Sequence, residues 1–146
     1  MAVIPLKFLE WTPEYAVHVA EIDRQHRVWF DLVNRLHEAM LAGNGREVLG
    51  GLLGETTKYT LHHFAAEENL MAAARYPALQ THVKQHDALR ERTNVFVGRF
   101  ERGESTMTIE FTLFLSEWVR QHTTSADRRL GEYLNTRGSA SARLSR

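Results

Sequence analysis

Along this chain apolar residues recur every three to four positions in four long stretches, with polar side chains filling the faces between them. That spacing marks amphipathic helices, each with one stripe turned to a common core. The first predicted helix starts near Ile22 and carries Ile22, His26, Trp29 or Phe30, Val33, Leu36 and Met40 inward. Gly43-Asn44-Gly45 ends it. A second helix runs from about Arg46 to Arg75, weakened at its start by Gly50, Gly51 and Gly54. Pro77 suits a position just inside a third helix. The inward face of that helix reads His82, His86, Leu89, Thr93, Phe96 and Phe100 before Gly103 closes it. A fourth spans roughly Thr108 to His122, with Phe111, Leu115, Trp118 and His122 in register. Short connections between long amphipathic helices predict an all-α fold, an antiparallel up-down four-helix bundle. Residues 1 to about 20 contain Pro5 and Pro13 and read as an extended N-terminal arm, anchored by Trp11, Tyr15 and Val17. The expected organisation is one domain over 1–137, followed by a tail, 138–146, too poor in apolar residues to order itself.

The inward stripes carry an unusual cargo of histidine. His26, His63, His82 and His86 fall on apolar faces, where an unpaired polar side chain is costly to bury. His62 and His63 are neighbours and point about 100° apart on a helix. The His62 face collects Glu55, Lys58 and Asn69, a solvated surface; the His63 face collects Leu52, Thr56, Tyr59, Thr60, Leu70 and Met71. His63 is therefore the inward one. Glu67 follows it by one turn on the same line, whereas Glu68 lies off that line and reads as a surface acid. His82 and His86 share a face one turn apart, a spacing that metal sites use on helices. One histidine on an apolar face is usually a satisfied core residue. Five of them with two carboxylates, spread over four helices, point instead to a metal pair, and this ligand set suits iron.

Asp127 needs a special backbone. It follows His122 by five residues, about 140° around an ideal helix, so both face one site only if the helix ends or bulges between them. Thr123-Thr124-Ser125 favours caps and turns, and Thr124 or Ser125 suits the cap of a short new helix containing Asp127. His37 shares the face of His26 but lies three turns away; it reads as a partly buried, hydrogen-bonded histidine near the bundle end. His18 sits in the arm as a structural or exposed residue. Trp118, Phe96 and Phe114 read mainly as core.

Composition narrows the classes. The chain has 146 residues and is 43% hydrophobic, enough for one substantial core. Lys+Arg and Asp+Glu are 18 each, so no bulk charge draws nucleic acid or an anionic membrane. Cysteine is absent, which excludes disulfides, iron–sulfur clusters and thiolate zinc, and fits a cytoplasmic location. Neither a signal-peptide run nor a stretch of transmembrane length is expected.

The segments Ile22-Asp23-Arg24-Gln25-His26, His63-Phe64-Ala65-Ala66-Glu67-Glu68 with Met71, Tyr76-Pro77, His82 with His86, and Trp118-Val119-Arg120-Gln121-His122 with Asp127 resemble the bacterial hemerythrins. The resemblance runs from about Trp11 to Leu134. It implies that His82, His86 and His122 hold one iron and His26 and His63 the other. Glu67 and Asp127 would bridge the two irons together with a single oxo or hydroxo oxygen, and dioxygen would bind at the iron with fewer ligands. The implied function is reversible dioxygen binding for storage, delivery or sensing. Di-iron peroxidase or nitric oxide reductase activity, or a non-redox metal-binding bundle, are the alternatives. Two positions depart from the family pattern. Val119 stands where relatives usually have Leu, and Thr123 where they have Ile; both, with Trp118, are expected beside the dioxygen pocket.

Overall fold

A computed structural model describes residues 8–104 and 106–144, with side chains through Arg137. The helices are α1 (Ala20–Leu41), α2 (Arg46–Ala73), α3 (Leu79–Glu101), α4 (Met107–His122) and α5 (Arg128–Leu144). α4 and α5 are joined without interruption by a π-helical turn, Thr123–Asp127. Four rods result, and α1 packs on α2 and α4 while α3 does the same from the opposite corner. This is the antiparallel up-down four-helix bundle that the apolar spacing predicts. Gly43 and Gly103 take positive φ at the ends of α1 and α3, where the chain must turn back.

The bundle holds two apolar clusters. The larger contains Phe30, Val33, Leu36, Leu53, Leu89, Phe96, Met107, Phe111 and Leu115. The smaller, at one end, contains Val17, Ile22, Met71 and Leu130. Ile22 stands one turn before His26 and Met71 one turn after Glu67. The polar residues of interest therefore form a layer between two dry regions.

Pro77 lies in the turn before α3 rather than inside it, and Ala78 occupies the cap position. α5 continues to Leu144, past the Gly138 boundary at which the sequence predicts loss of order; side chains there lie outside the described residues.

The arm is tied down by specific bonds. Val17 is buried as expected, and Trp11 and Tyr15 are half-buried. The deepest anchor is Leu9, whose N–H and C=O are both bonded by the Asn34 side chain at 2.7 Å. Asp23 accepts hydrogen bonds from the N–H groups of Val17 and His18 at 2.8 and 3.1 Å. Where the arm crosses α5, a Cβ on Gly131 would come within 2.2 Å of the Val17 carbonyl oxygen. Only glycine permits that approach.

Candidate metal centre

All seven predicted residues are buried and meet in the polar layer. His26 comes from α1, His63 and Glu67 from α2, His82 and His86 from α3, His122 from α4, and Asp127 from the π turn. In a π turn the backbone bonds from i to i+5, so residues five apart stand over one another. His122 Nε2 and Asp127 Oδ1 are thereby brought to 3.1 Å. The predicted bulge is the solution adopted, and no new helix is capped. Thr124 and Ser125 instead donate their hydroxyls back to the carbonyls of Arg120 and Gln121, at 2.8 and 2.6 Å, as the turn widens.

The donor atoms fall into two overlapping groups. Glu67, His82, His86, His122 and Asp127 form one, and His26, His63, Glu67 and Asp127 the other. Within each, the possible ligand atoms lie within 4.8 Å of one another. The two carboxylates belong to both. Glu67 Oε1 faces His82 and His86 at 2.6 and 3.2 Å, while its Oε2 faces His63 at 3.3 Å. Asp127 Oδ1 faces His82 and His122 at 3.1 Å each, while its Oδ2 faces His26 at 3.1 Å. Each carboxylate thus offers one oxygen to each group, as a bridge between two cations requires.

Protons alone satisfy this cluster poorly. Nε2 of His26, His63 and His86, Oε2 of Glu67 and both oxygens of Asp127 are buried without hydrogen-bond partners. The Nε2 atoms of His82 and His122 face each other at 3.1 Å. Burial pushes both carboxyl groups toward protonation, but the surrounding imidazoles outweigh it and hold Glu67 and Asp127 well below the usual carboxylate range. Burial likewise disfavours charge on His82, yet Asp127 and Glu67 raise it to about 9. His26 is raised by the same carboxylates against its burial, whereas burial prevails at His63 and lowers it. Two anions in a dry core demand compensating positive charge. Imidazole and carboxylate together, with no thiolate, are suited to a transition metal such as iron.

The outer edges of the rings are held in place. His63 Nδ1–H donates to Gln25 Oε1 at 2.7 Å, and Gln25 Nε2 donates to Glu21. His86 Nδ1–H donates to Glu68 Oε2 at 2.7 Å, and Arg90 donates to the same oxygen at 2.8 Å. His122 Nδ1–H donates to Gln85 Oε1 at 2.9 Å. These bonds fix the tautomer that turns the Nε2 lone pair inward. Glu68 is therefore a half-buried partner of the site and not a free surface acid. Gln25 and Gln85 were also missed by periodicity. Each directly precedes an inward histidine, the only local signal that either gives. Stacking adds further constraint: Phe64 lies on His86 at 3.8 Å and Trp118 on His122 at 4.3 Å.

His62 is exposed, as its face predicts. His37 is half-buried near the bundle end, but it stacks on Phe8 at 4.0 Å and has no side-chain hydrogen bond among the described residues. Val119 is fully buried, and the Thr123 hydroxyl is buried without a partner. No helix of the described residues is long and apolar enough to cross a membrane.

Comparison with known proteins agrees with this layout. A family model described as the hemerythrin HHE cation-binding domain matches residues 17–134. A bacteriohemerythrin of Methylococcus capsulatus is 30% identical over 131 residues, covering 89% of this chain and 99% of that protein. One from Stenotrophomonas maltophilia is 32% identical over 117 residues, covering 80% and 75%. A wild-type hemerythrin crystal structure matches with a TM-score of 0.82 at 30% identity, over 87% of this chain and 98% of that one. A leucine-to-tyrosine hemerythrin variant gives 0.83, over 88% and 98%. With its bundle, its buried cation-binding cluster and a family match over most of its length, this chain belongs to the hemerythrin HHE cation-binding family.

Proposed function

We propose that this chain holds two iron ions in its polar layer and binds dioxygen there reversibly. The observation that carries the reading is the sharing of Glu67 and Asp127 between two donor groups. His82, His86 and His122 would hold one metal, and His26 and His63 the other. The second position has one imidazole fewer, which leaves room for an external ligand. Bound iron would supply the electrons and the coordination site that dioxygen needs. The protein's part is to exclude water and to hold the imidazoles. Trp29, Phe64 and Val119 border the layer as fully buried walls. Trp118 braces His122 by stacking, and the Thr123 hydroxyl, one turn after Val119 and buried without a partner, would be available to bond a group in the dioxygen pocket. Five imidazoles with only two carboxylates give little support to high-valent iron, so binding is favoured over turnover.

The test is anaerobic loading with ferrous iron, a metal count, and exposure to dioxygen followed by its removal. Two irons per chain and a colour that appears and disappears with the gas are expected. His63→Ala should lose iron while His62→Ala keeps both. Irreversible oxidation on first exposure would sink the carrier reading and favour a peroxidase or nitric oxide reductase. Iron retained by His63→Ala and lost by His62→Ala would overturn the ligand assignment.

A further inference from the structure

Each ring that turns Nε2 inward leaves a second nitrogen, and the fates of those nitrogens differ. Those of His63, His86 and His122 are bonded to Gln25, Glu68 and Gln85. That of His26 is sealed in the core. His82 is the exception. The residue is only 3% exposed. Its hydrogen bonds all run through Nε2, and its Nδ1 has no partner among the described residues. With Nε2 turned to Glu67 and Asp127, the outer edge of the ring lines a cavity of about 110 Å³ between α3 and the start of α5.

Arg129 lines the same cavity, two residues beyond Asp127. It is exposed and forms no ion pair and no side-chain hydrogen bond among the described residues. Glu132, one turn further, is not paired with it. Tyr76, Thr81 and Gln85 supply the remaining polar lining. Among the described residues the cavity thus joins one buried imidazole N–H with one unpaired guanidinium, and its lining includes no carboxylate.

We propose that this cavity is a binding site for a small carboxylate-type anion, held between His82 Nδ1–H and the Arg129 guanidinium. The molecule contains an internal counterpart. At His86, the Glu68 carboxylate accepts from the ring Nδ1–H at 2.7 Å and from Arg90 at 2.8 Å. The His82 side has the same imidazole and the same kind of cation, and lacks only the carboxylate. An external anion completes the arrangement. A guanidinium fork matches a carboxylate edge, and hydrogen bonds to a charged acceptor are the stronger kind. A volume of about 110 Å³ has room for an anion the size of formate, acetate or bicarbonate. The site lies on the three-histidine side, away from the position proposed for dioxygen. An anion accepting from Nδ1–H makes its imidazole a better metal ligand. The proposal rests on the metal reading only in that consequence.

The experiment uses the full chain loaded with zinc, which is diamagnetic, and follows the imidazole nitrogens by NMR during a formate titration. A saturable shift at His82 is expected, with smaller or no change at His26 and His63. Arg129→Gln should weaken the apparent affinity at least tenfold, and Arg129→Lys should fall between. Release of zinc to a chelator should slow when formate is present, and Arg129→Gln should remove that effect. A shift led by His26 and His63 that survives Arg129→Gln would mean direct coordination of formate to the metal and would overturn the site. So would the absence of any saturable shift. Zinc counted on the same sample separates this from the metal reading. Fewer than two zincs per chain sinks that reading, and the titration is then decided on the metal-free protein, where His82 must still respond through Arg129.

Discussion

Between Leu36 and Phe111 the four helices meet mainly over apolar side chains, with a few buried hydroxyls such as Thr56, Thr93 and Thr112 among them, whereas between His26 and Asp127 they meet over five imidazoles and two carboxylates. Both regions are dry and closely packed, but they differ in what completes them. In the apolar half the described side chains fill the space by packing against one another, and of the buried hydroxyls there that of Thr93 alone lacks a partner. In the polar layer His26 Nε2, His63 Nε2, His86 Nε2, Glu67 Oε2 and both Asp127 oxygens are buried without a hydrogen-bond partner. Hydrophobic burial stabilises the first region unaided. The second is stable only when positive charge fills it, from protons or from a metal.

The largest expected effect strikes the apolar half. Phe111 is almost fully buried against Phe96. Phe111→Ala should cost about 3–5 kcal/mol, the usual range for deleting a buried aromatic ring. The loss, measured by denaturant unfolding, should be nearly equal with and without metal. A loss that depends strongly on metal would erase the distinction between the halves.

Metal removal should strike the polar layer alone. Binding to the folded state adds about 4 kcal/mol when free metal exceeds Kd a thousandfold. The pH dependence should also reverse sign. In the metal-free protein His82 is raised to about 9, so its contribution is complete below its unfolded value near 6.5 and disappears as pH rises through 9. His26 is raised too and acts in the same direction, while His63, lowered, opposes them. Glu67 and Asp127 are lowered, so their contribution is present above about pH 4.5 and disappears under acid. The metal-free protein should therefore weaken from pH 6.5 to 9. The loaded protein should instead strengthen as pH rises from 5 to 7, because protons compete with metal for the same nitrogens. Melting temperatures across pH, with and without iron, check this; parallel curves would refute a buried central site.

The smallest effect lies where the halves touch. Val119 is fully buried at that boundary, beside the unpartnered Thr123 hydroxyl. Val119→Leu adds one methylene to the wall and should slow decay of the oxygenated spectrum in air by a few-fold, provided the larger side chain packs without strain. Unchanged or faster decay with iron content intact would show that Val119 does not control water access.

The comparison also separates what was legible in the chain from what was not. Helical spacing chose His63 over His62, and the five-residue gap from His122 to Asp127 required an irregular turn. It did not choose between a new helix and a bulge. The bulge prevails because the hydroxyls of Thr124 and Ser125 satisfy carbonyls that a widened turn leaves free. The arm was legible as an arm, but its deepest anchor, Leu9, was not, since its clamp, Asn34, is 25 residues away.

The sequence by itself determined the four helices, their inward stripes and the seven residues that meet between them. All but Asp127, which lies off the helical period and needs the irregular turn, follow from a period of 3.6 residues, which is a property of each helix alone. Only the tertiary structure decided how those residues are supported: Gln25 on His63, Glu68 on His86, Gln85 on His122, and an open edge on His82. Each of those relations except the last crosses from one helix to another. Periodicity fixes which way a side chain points, but the distance it reaches across a helix interface depends on how two helices pack.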